Sequence, residues 1–193
     1  MSLVIGLHGA KGSGKDLFYK IVKRAFPLHV VKKTAYADPI KREVCRIFGL
    51  ADEDQYDLFK RNDVKYHLPG YMTHSVHGRQ VVREIGMLMR SYDENQFTRY
   101  VEEQIATAPN AIWCITDLRF TNELKSIQNN LGGIIIKIQR TGFSYDGHET
   151  ETELSDDVCD AVIANDGTEK QYEEKVIATM HAIIDSLDAY NKE

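Results

Sequence analysis

GAKGSGKD, residues 9–16, stands between the apolar run LVIGLH and the helical-looking KDLFYKIVKRAF. It meets seven of the eight positions of a phosphate-binding loop: Gly, four residues of any kind, Gly, Lys. The eighth position ordinarily carries a Ser or Thr hydroxyl that holds magnesium, and here it is Asp16. LVIGLHG reads as a short buried strand. Behind the loop, Leu17, Ile21, Val22 and Phe26 recur at helical spacing. Strand, glycine loop and helix in that order are the setting a phosphate loop requires. Gly9, Gly12 and Gly14 allow backbone angles closed to other residues. A segment Gly9, Ala10, Lys11, Gly12, Ser13, Gly14 so freed can turn several N–H groups toward one anion, at the positive end of the next helix. Lys15 adds a full charge for the outer phosphates.

Asp16 has two readings. A bare carboxylate beside a triphosphate is repelled, but a Mg²⁺ between them reverses the sign, since oxygen ligands suit magnesium directly or through its waters. Asp16 is then a magnesium-shell residue. Otherwise it caps the helix, where the dipole favours an acid.

Further along, HVVKKTAYAD (29–38) predicts a second strand and DPIKREVCRIFG a helix, with Asp38 as cap, Pro39 at the first turn and Gly49 as the stop. Residues 50–78 read as short helical pieces and loop. GRQVVREIGMLMR (78–90) and NQFTRYVEEQIA (95–106) read as helices, AIWCITDLR (111–119) as a buried strand, TNELKSIQNNLGG (121–133) as a helix closed by glycine, IIIKIQR (134–140) and DAVIAND (160–166) as strands, and about 168–190 as a last helix. Strands alternate with helices, so the fold expected is α/β with a mostly parallel sheet in one domain. Ligands of such sheets bind outside the carboxyl ends of the strands. Asp117, at the end of AIWCIT, is therefore a second candidate magnesium ligand. Arg119 suits charge on a moving phosphoryl group, although an Asp–Arg pair that only ties a loop is the competing reading.

The chain has 193 residues with a formal net charge of -5, 42% hydrophobic and 27% charged. That length suits a single domain with a small lid, and the mild acidity offers no field for nucleic acid. Cys45, Cys114 and Cys159 are odd in number and far apart, so reduced thiols in a cytosolic protein are expected. No secretory signal or membrane-spanning run is read from the sequence.

With these stretches in view, the chain resembles the bacteriophage-type deoxynucleoside monophosphate kinases of the P-loop nucleoside monophosphate kinase group. The matching segments are GAKGSGKD, YADPIKREV, GRQVVREIGMLMR, ITDLRFTNEL, HETETEL and DAVIANDG, in order from Gly9 to Gly167. In that family Asp follows the loop Lys, as Asp16 does here. The resemblance implies a three-layer P-loop NTPase sandwich with a five-stranded sheet, a helical acceptor-binding region near 38–106 and a short lid near 140–155. It implies phosphoryl transfer from ATP, with Mg²⁺, to a deoxynucleoside 5'-monophosphate. Lys15 and the loop would hold ATP, Asp38 and Lys41 would face the acceptor, and Arg79 and Arg90 would clamp its phosphate. Arg119 and Arg140 would serve transfer, Arg140 from the lid. A homodimer, and a host-cytoplasm setting if phage-encoded, follow from family analogy alone.

His148 and Glu151, with Thr150 in a Ser position of the family, match without an assigned role. Leu17 stands where relatives carry Ser or Thr, and Arg83 where they carry Gln, which touches the choice of base. The stretch YHLPGYMTHSVHGR (66–79) offers rings to stack on a base, and His67, His74 and His77 lack a strong metal pattern. Two other readings use the same loop: a P-loop kinase for another small phosphorylated metabolite or dephospho-coenzyme A, and an ATP-binding switch with no acceptor.

Overall fold

The computed structural model describes residues 2–61, 65, 76–143, 154 and 156–190. Strands β1 (Leu3–His8), β2 (Val31–Thr34), β3 (Ile112–Ile115), β4 (Ile134–Gln139) and β5 (Ala161–Ala164) form one sheet in the order β2-β3-β1-β4-β5. All four pairings are parallel. Near-continuous Val, Ile and Leu runs signal strands covered on both faces, and β1, β3 and β4 are buried along almost their whole length.

Alternation along these strands sorts the two faces. Ile5, Leu7, Ile112, Cys114, Ile136, Ile138 and Ile163 share a core with helix α1 (Lys15–Ala25) and helix α7 (Glu169–Tyr190). The α1 contribution is Phe18, Ile21, Val22 and the following Phe26; Leu17 is only half-buried. From α7 come Tyr172, Val176 and Met180, each four residues apart. Burial pushes the Cys114 thiol up to about 12, so it sits here as an inert apolar group. On the opposite face, a side chain at Gly6 would meet Ile127, Ile135 and Leu118. Helix α6 (Thr121–Lys125), continued by a π-helical turn over Ser126–Asn130, covers that side. The sequence reads as one helix there. The structure widens its second half, and Glu102 ties both ends of the widened turn, accepting from Ser126 Oγ and Asn130 Nδ2.

The chain divides into two compact units: Met1–Ala35 with Val101–Glu193, and Tyr36–Tyr100. The second contains α2 (Asp38–Phe48), α3 (Glu53–Phe59), α4 (Gly78–Tyr92) and the start of α5 (Gln96–Ala106). In it Ile40 packs at Gly86, and the Phe48 and Phe59 rings lie 4.7 Å apart. Asp38 does not cap α2 as expected. Ala37 holds the cap position and Asp38 is already the first helical residue, so its acid acts through the helix dipole. Gly49 ends α2 in the left-handed region, as the sequence suggests.

Candidate active site

Because the sheet is parallel, every strand delivers its carboxyl end to the same side. β1 runs into Gly9, β3 into Thr116 and Asp117, β4 into Arg140, and β5 into Asn165. The nucleotide loop is built there. Gly9, Gly12 and Gly14 have φ of 148°, 80° and 115°. A Cβ at Gly9 would strike the Ile138 carbonyl, and one at Gly14 would come within 2.5 Å of Asn165 Nδ2.

Five of the loop's carbonyls accept from protein donors. Lys15 Nζ donates to Gly9 O at 2.5 Å and to Ala10 O at 2.8 Å. Arg140 donates to Gly12 O at 3.3 Å, Asn165 Nδ2 to Ser13 O at 2.7 Å, and the Tyr172 hydroxyl to Gly14 O at 3.2 Å. Burial raises the Tyr172 hydroxyl above its ordinary pKa, so it remains a donor. One loop amide turns inward as well, the Ser13 N–H donating to Ala10 O at 3.1 Å. Lys15 is folded back onto the loop, where its ammonium can exchange two carbonyls for phosphate oxygens. Ser13 is buried, and its hydroxyl has no hydrogen-bond partner among the described residues. Lys11 is exposed.

Asp16 lies in the first turn of α1, but the cap position belongs to Gly14 and no side chain caps the helix. The exposed Asp16 carboxylate receives Lys33 Nζ from β2 at 3.3 Å. Asp117 is half-buried just past β3. The next residues are held by a group the sequence did not single out. Glu123, 1% exposed, accepts from the Arg119 N–H at 2.9 Å and the Phe120 N–H at 3.1 Å. A buried carboxylate needs such partners, and here they fix the backbone that carries Arg119. From the other side, buried His8 bonds the Leu118 carbonyl at 3.1 Å.

Arg140 follows β4 and reaches Gly12. Its guanidinium lies 4.6 Å from the Phe143 ring centre, and that ring covers Gly12. The adjacent Thr141 N–H donates to Asp166 at 2.5 Å, and this bond holds the Asp166 carboxyl below its ordinary value of 3.8. Most of the expected lid, with His148, Thr150 and Glu151, lies outside the described residues, as do His67 and His74.

The acceptor candidates all belong to the Tyr36–Tyr100 unit. Asp38 and Lys41 lie in the first turn of α2, with Lys41 Nζ 5.2 Å from the centre of the buried Tyr56 ring. Arg79 is in the first turn of α4 and Arg90 in the last, stacked on Phe97 at 4.7 Å. Eleven residues of helix separate them by about 16 Å along the axis. Only extended, converging side chains could grip one phosphate across that span. Arg83 is half-buried between them.

Magnesium delivered with a nucleotide keeps several waters and takes one or two carboxylates. Among the described residues no group of three or more His, Cys, Asp or Glu could hold a metal by itself. The exposed carboxylate of Asp16, one residue past Lys15, and that of Asp117 at a strand's carboxyl end fit the lighter demand. Among residues the sequence reading passed over, Asn165 and Glu123 were inside segments already quoted, DAVIANDG and TNEL. Nothing in their spacing says which carbonyl or amide they meet.

No protein-family model matches the chain. A protein of Acanthamoeba polyphaga mimivirus named "Putative deoxynucleotide monophosphate kinase" is 31% identical over 193 residues, covering 91% of this chain and 95% of that protein. Among solved structures, dephospho-CoA kinase from Campylobacter jejuni is similar over 94% of this chain and 97% of its own, with 14% identity and a TM-score of 0.48. Shikimate kinase from Aquifex aeolicus covers 94% and 98%, with 11% identity and a TM-score of 0.49. By its whole-length likeness to the mimivirus protein, the chain belongs to the deoxynucleotide monophosphate kinase family.

Proposed function

We propose that the protein transfers the γ-phosphoryl group of ATP to a deoxynucleoside 5'-monophosphate, giving ADP and the diphosphate. What carries this function is the likeness to the mimivirus protein along 91% of the chain. The loop at Gly9–Lys15 supplies the matching chemistry. An oxygen of the acceptor phosphate attacks the γ-phosphorus, and the bond to the β–γ bridging oxygen breaks. The attacking phosphate oxygen is already anionic near neutral pH, so no strong base and no covalent enzyme intermediate are required, and the bridging oxygen leaves as the terminal oxygen of ADP. The protein's work is alignment and charge neutralisation.

Gly9, Ala10, Lys11, Gly12, Ser13 and Gly14 bind the ATP phosphates with Lys15. Arg119 and Arg140 neutralise charge that builds on the transferred group. Asp38, Lys41, Arg79 and Arg90 bind the acceptor, which makes the Tyr36–Tyr100 unit the acceptor-binding region. Asp16 and Asp117 hold Mg²⁺, which when bound offsets the negative charge of the phosphates. A homodimer acting in the cytoplasm, that of the host if the gene is viral, completes the proposal. No helix among the described residues is long and apolar enough to cross a membrane.

The test is ADP release from ATP and Mg²⁺ with each deoxynucleoside and ribonucleoside monophosphate added in turn. Turnover with one or a few deoxynucleotides is expected and would name the base. Slow hydrolysis unchanged by every acceptor would reject the kinase.

A further inference from the structure

His8 is the last residue of β1, directly before the nucleotide loop, and is 1% exposed. A polar ring is out of place at the end of a strand this apolar, since burying it costs free energy unless its nitrogens are bonded. Its two nitrogens have different partners. Nδ1 lies 3.1 Å from the Leu118 carbonyl, which can only accept. Nε2 lies 3.2 Å from the Leu154 N–H, which can only donate. These two contacts suit the tautomer with its proton on Nδ1, facing the Leu118 carbonyl.

Each contact is with a different part of the site. Leu118 sits between Asp117 and Arg119, and Glu123 holds the next two amides of the same loop. Leu154 stands fourteen residues past Arg140 in sequence. One ring thus joins the strand that feeds the phosphate loop, the Asp117–Arg119 loop and the Leu154 backbone.

We propose that His8 is a positioning residue for phosphoryl transfer: it sets Arg119 through the Leu118 carbonyl and is itself held in orientation by the Leu154 amide. This rests on the kinase function above. His8 touches no reacting atom. A misplacement of about 1 Å in a neutralising group lowers kcat by up to about 100-fold while leaving ground-state binding nearly intact.

Two conservative variants separate the two bonds. The carboxamide of His8→Asn reaches the Leu118 carbonyl and loses Leu154, whereas that of His8→Gln reaches Leu154 and loses Leu118. Both are assayed with the acceptor found for the wild type, alongside His8→Ala, with melting temperature and ATP affinity measured separately. His8→Ala and His8→Gln should lose about 10-fold or more in kcat with both KM values within about 3-fold, and His8→Asn should recover part of the loss. Placed on Arg119→Lys, His8→Gln should cost less than about 2-fold, because its effect passes through Arg119. A folded His8→Ala with wild-type kcat, or a His8→Gln loss that simply multiplies with that of Arg119→Lys, overturns the proposal. So does a nitrogen NMR spectrum of the intact protein that puts the His8 proton on Nε2. A wild type inactive toward every acceptor would instead bring down the kinase function itself, and the catalytic role of His8 with it.

Discussion

At the scale of single residues, two side chains in the loop have separable jobs. Lys15 rests its ammonium on the loop, against the carbonyls of Gly9 and Ala10. Lys15→Ala is expected to cut turnover by about 10²–10³-fold, the size of losing one oriented donor to developing charge. The far-ultraviolet circular dichroism should stay unchanged, and unaltered turnover in a folded variant would count against the loop's role. Asp16 sits beside it in an exposed ion pair with Lys33 that contributes little stability. Asp16→Ala should therefore leave melting nearly untouched. It should raise the Mg²⁺ concentration for half-maximal turnover by about 10- to 100-fold. A magnesium titration with unchanged midpoint would leave Asp16 as a surface acid. The sequence singled out both residues, because motif spacing is a local property of the chain. It could not say that Lys33 would stand opposite Asp16, since β2 is brought there only by pairing with β3.

At the scale of elements, the junctions between strands and the turns after them decide whether the site is pre-shaped. Gly14 combines a φ of 115° with a close approach to Asn165 and Tyr172. Gly14→Ala is expected to destabilise the fold by about 2 kcal/mol or more, from strain in the left-handed region plus displacement of Asn165. Chemical denaturation reads this directly, and a loss below about 0.5 kcal/mol would mean the loop relaxes freely. Glu123 secures the turn after β3. Glu123→Ala leaves two amides without their acceptor, at a cost of about 2 kcal/mol. It should also lower kcat, since Arg119 hangs from that turn. Equal stability to wild type would show that water replaces the carboxylate. Sequence patterning found both helices that follow these turns. The partners of the turns were hidden, because Asn165 and Tyr172 lie more than 150 residues from the loop they hold.

At the scale of the whole molecule, two exposed carboxylates link folding to acid. Asp93 is held below its ordinary 3.8 chiefly by the hydrogen bond from Arg99, and Asp166 by the Thr141 N–H. A depressed folded-state pKa gives stability that is present above 3.8 and lost as pH falls through the lower folded value. The melting temperature should thus fall more steeply below about pH 4 for wild type than for a D93N/D166N double variant. Both should respond alike between pH 5 and 8 as far as these groups are concerned. Salt should weaken the Arg99 share first, and identical acid slopes would remove both groups from the account. By itself the sequence determined the order of strands and helices, the phosphate loop with its Asp16 variant, and the family resemblance, because hydrophobic period and glycine spacing act over neighbouring residues. Only the tertiary structure decided the strand order, the gathering of Lys15, Asp117, Arg119, Arg140 and Asn165 at one end of the sheet, and the buried ties of His8 and Glu123. Those depend on parallel pairing between distant segments, which local chemistry permits and only the packed core selects.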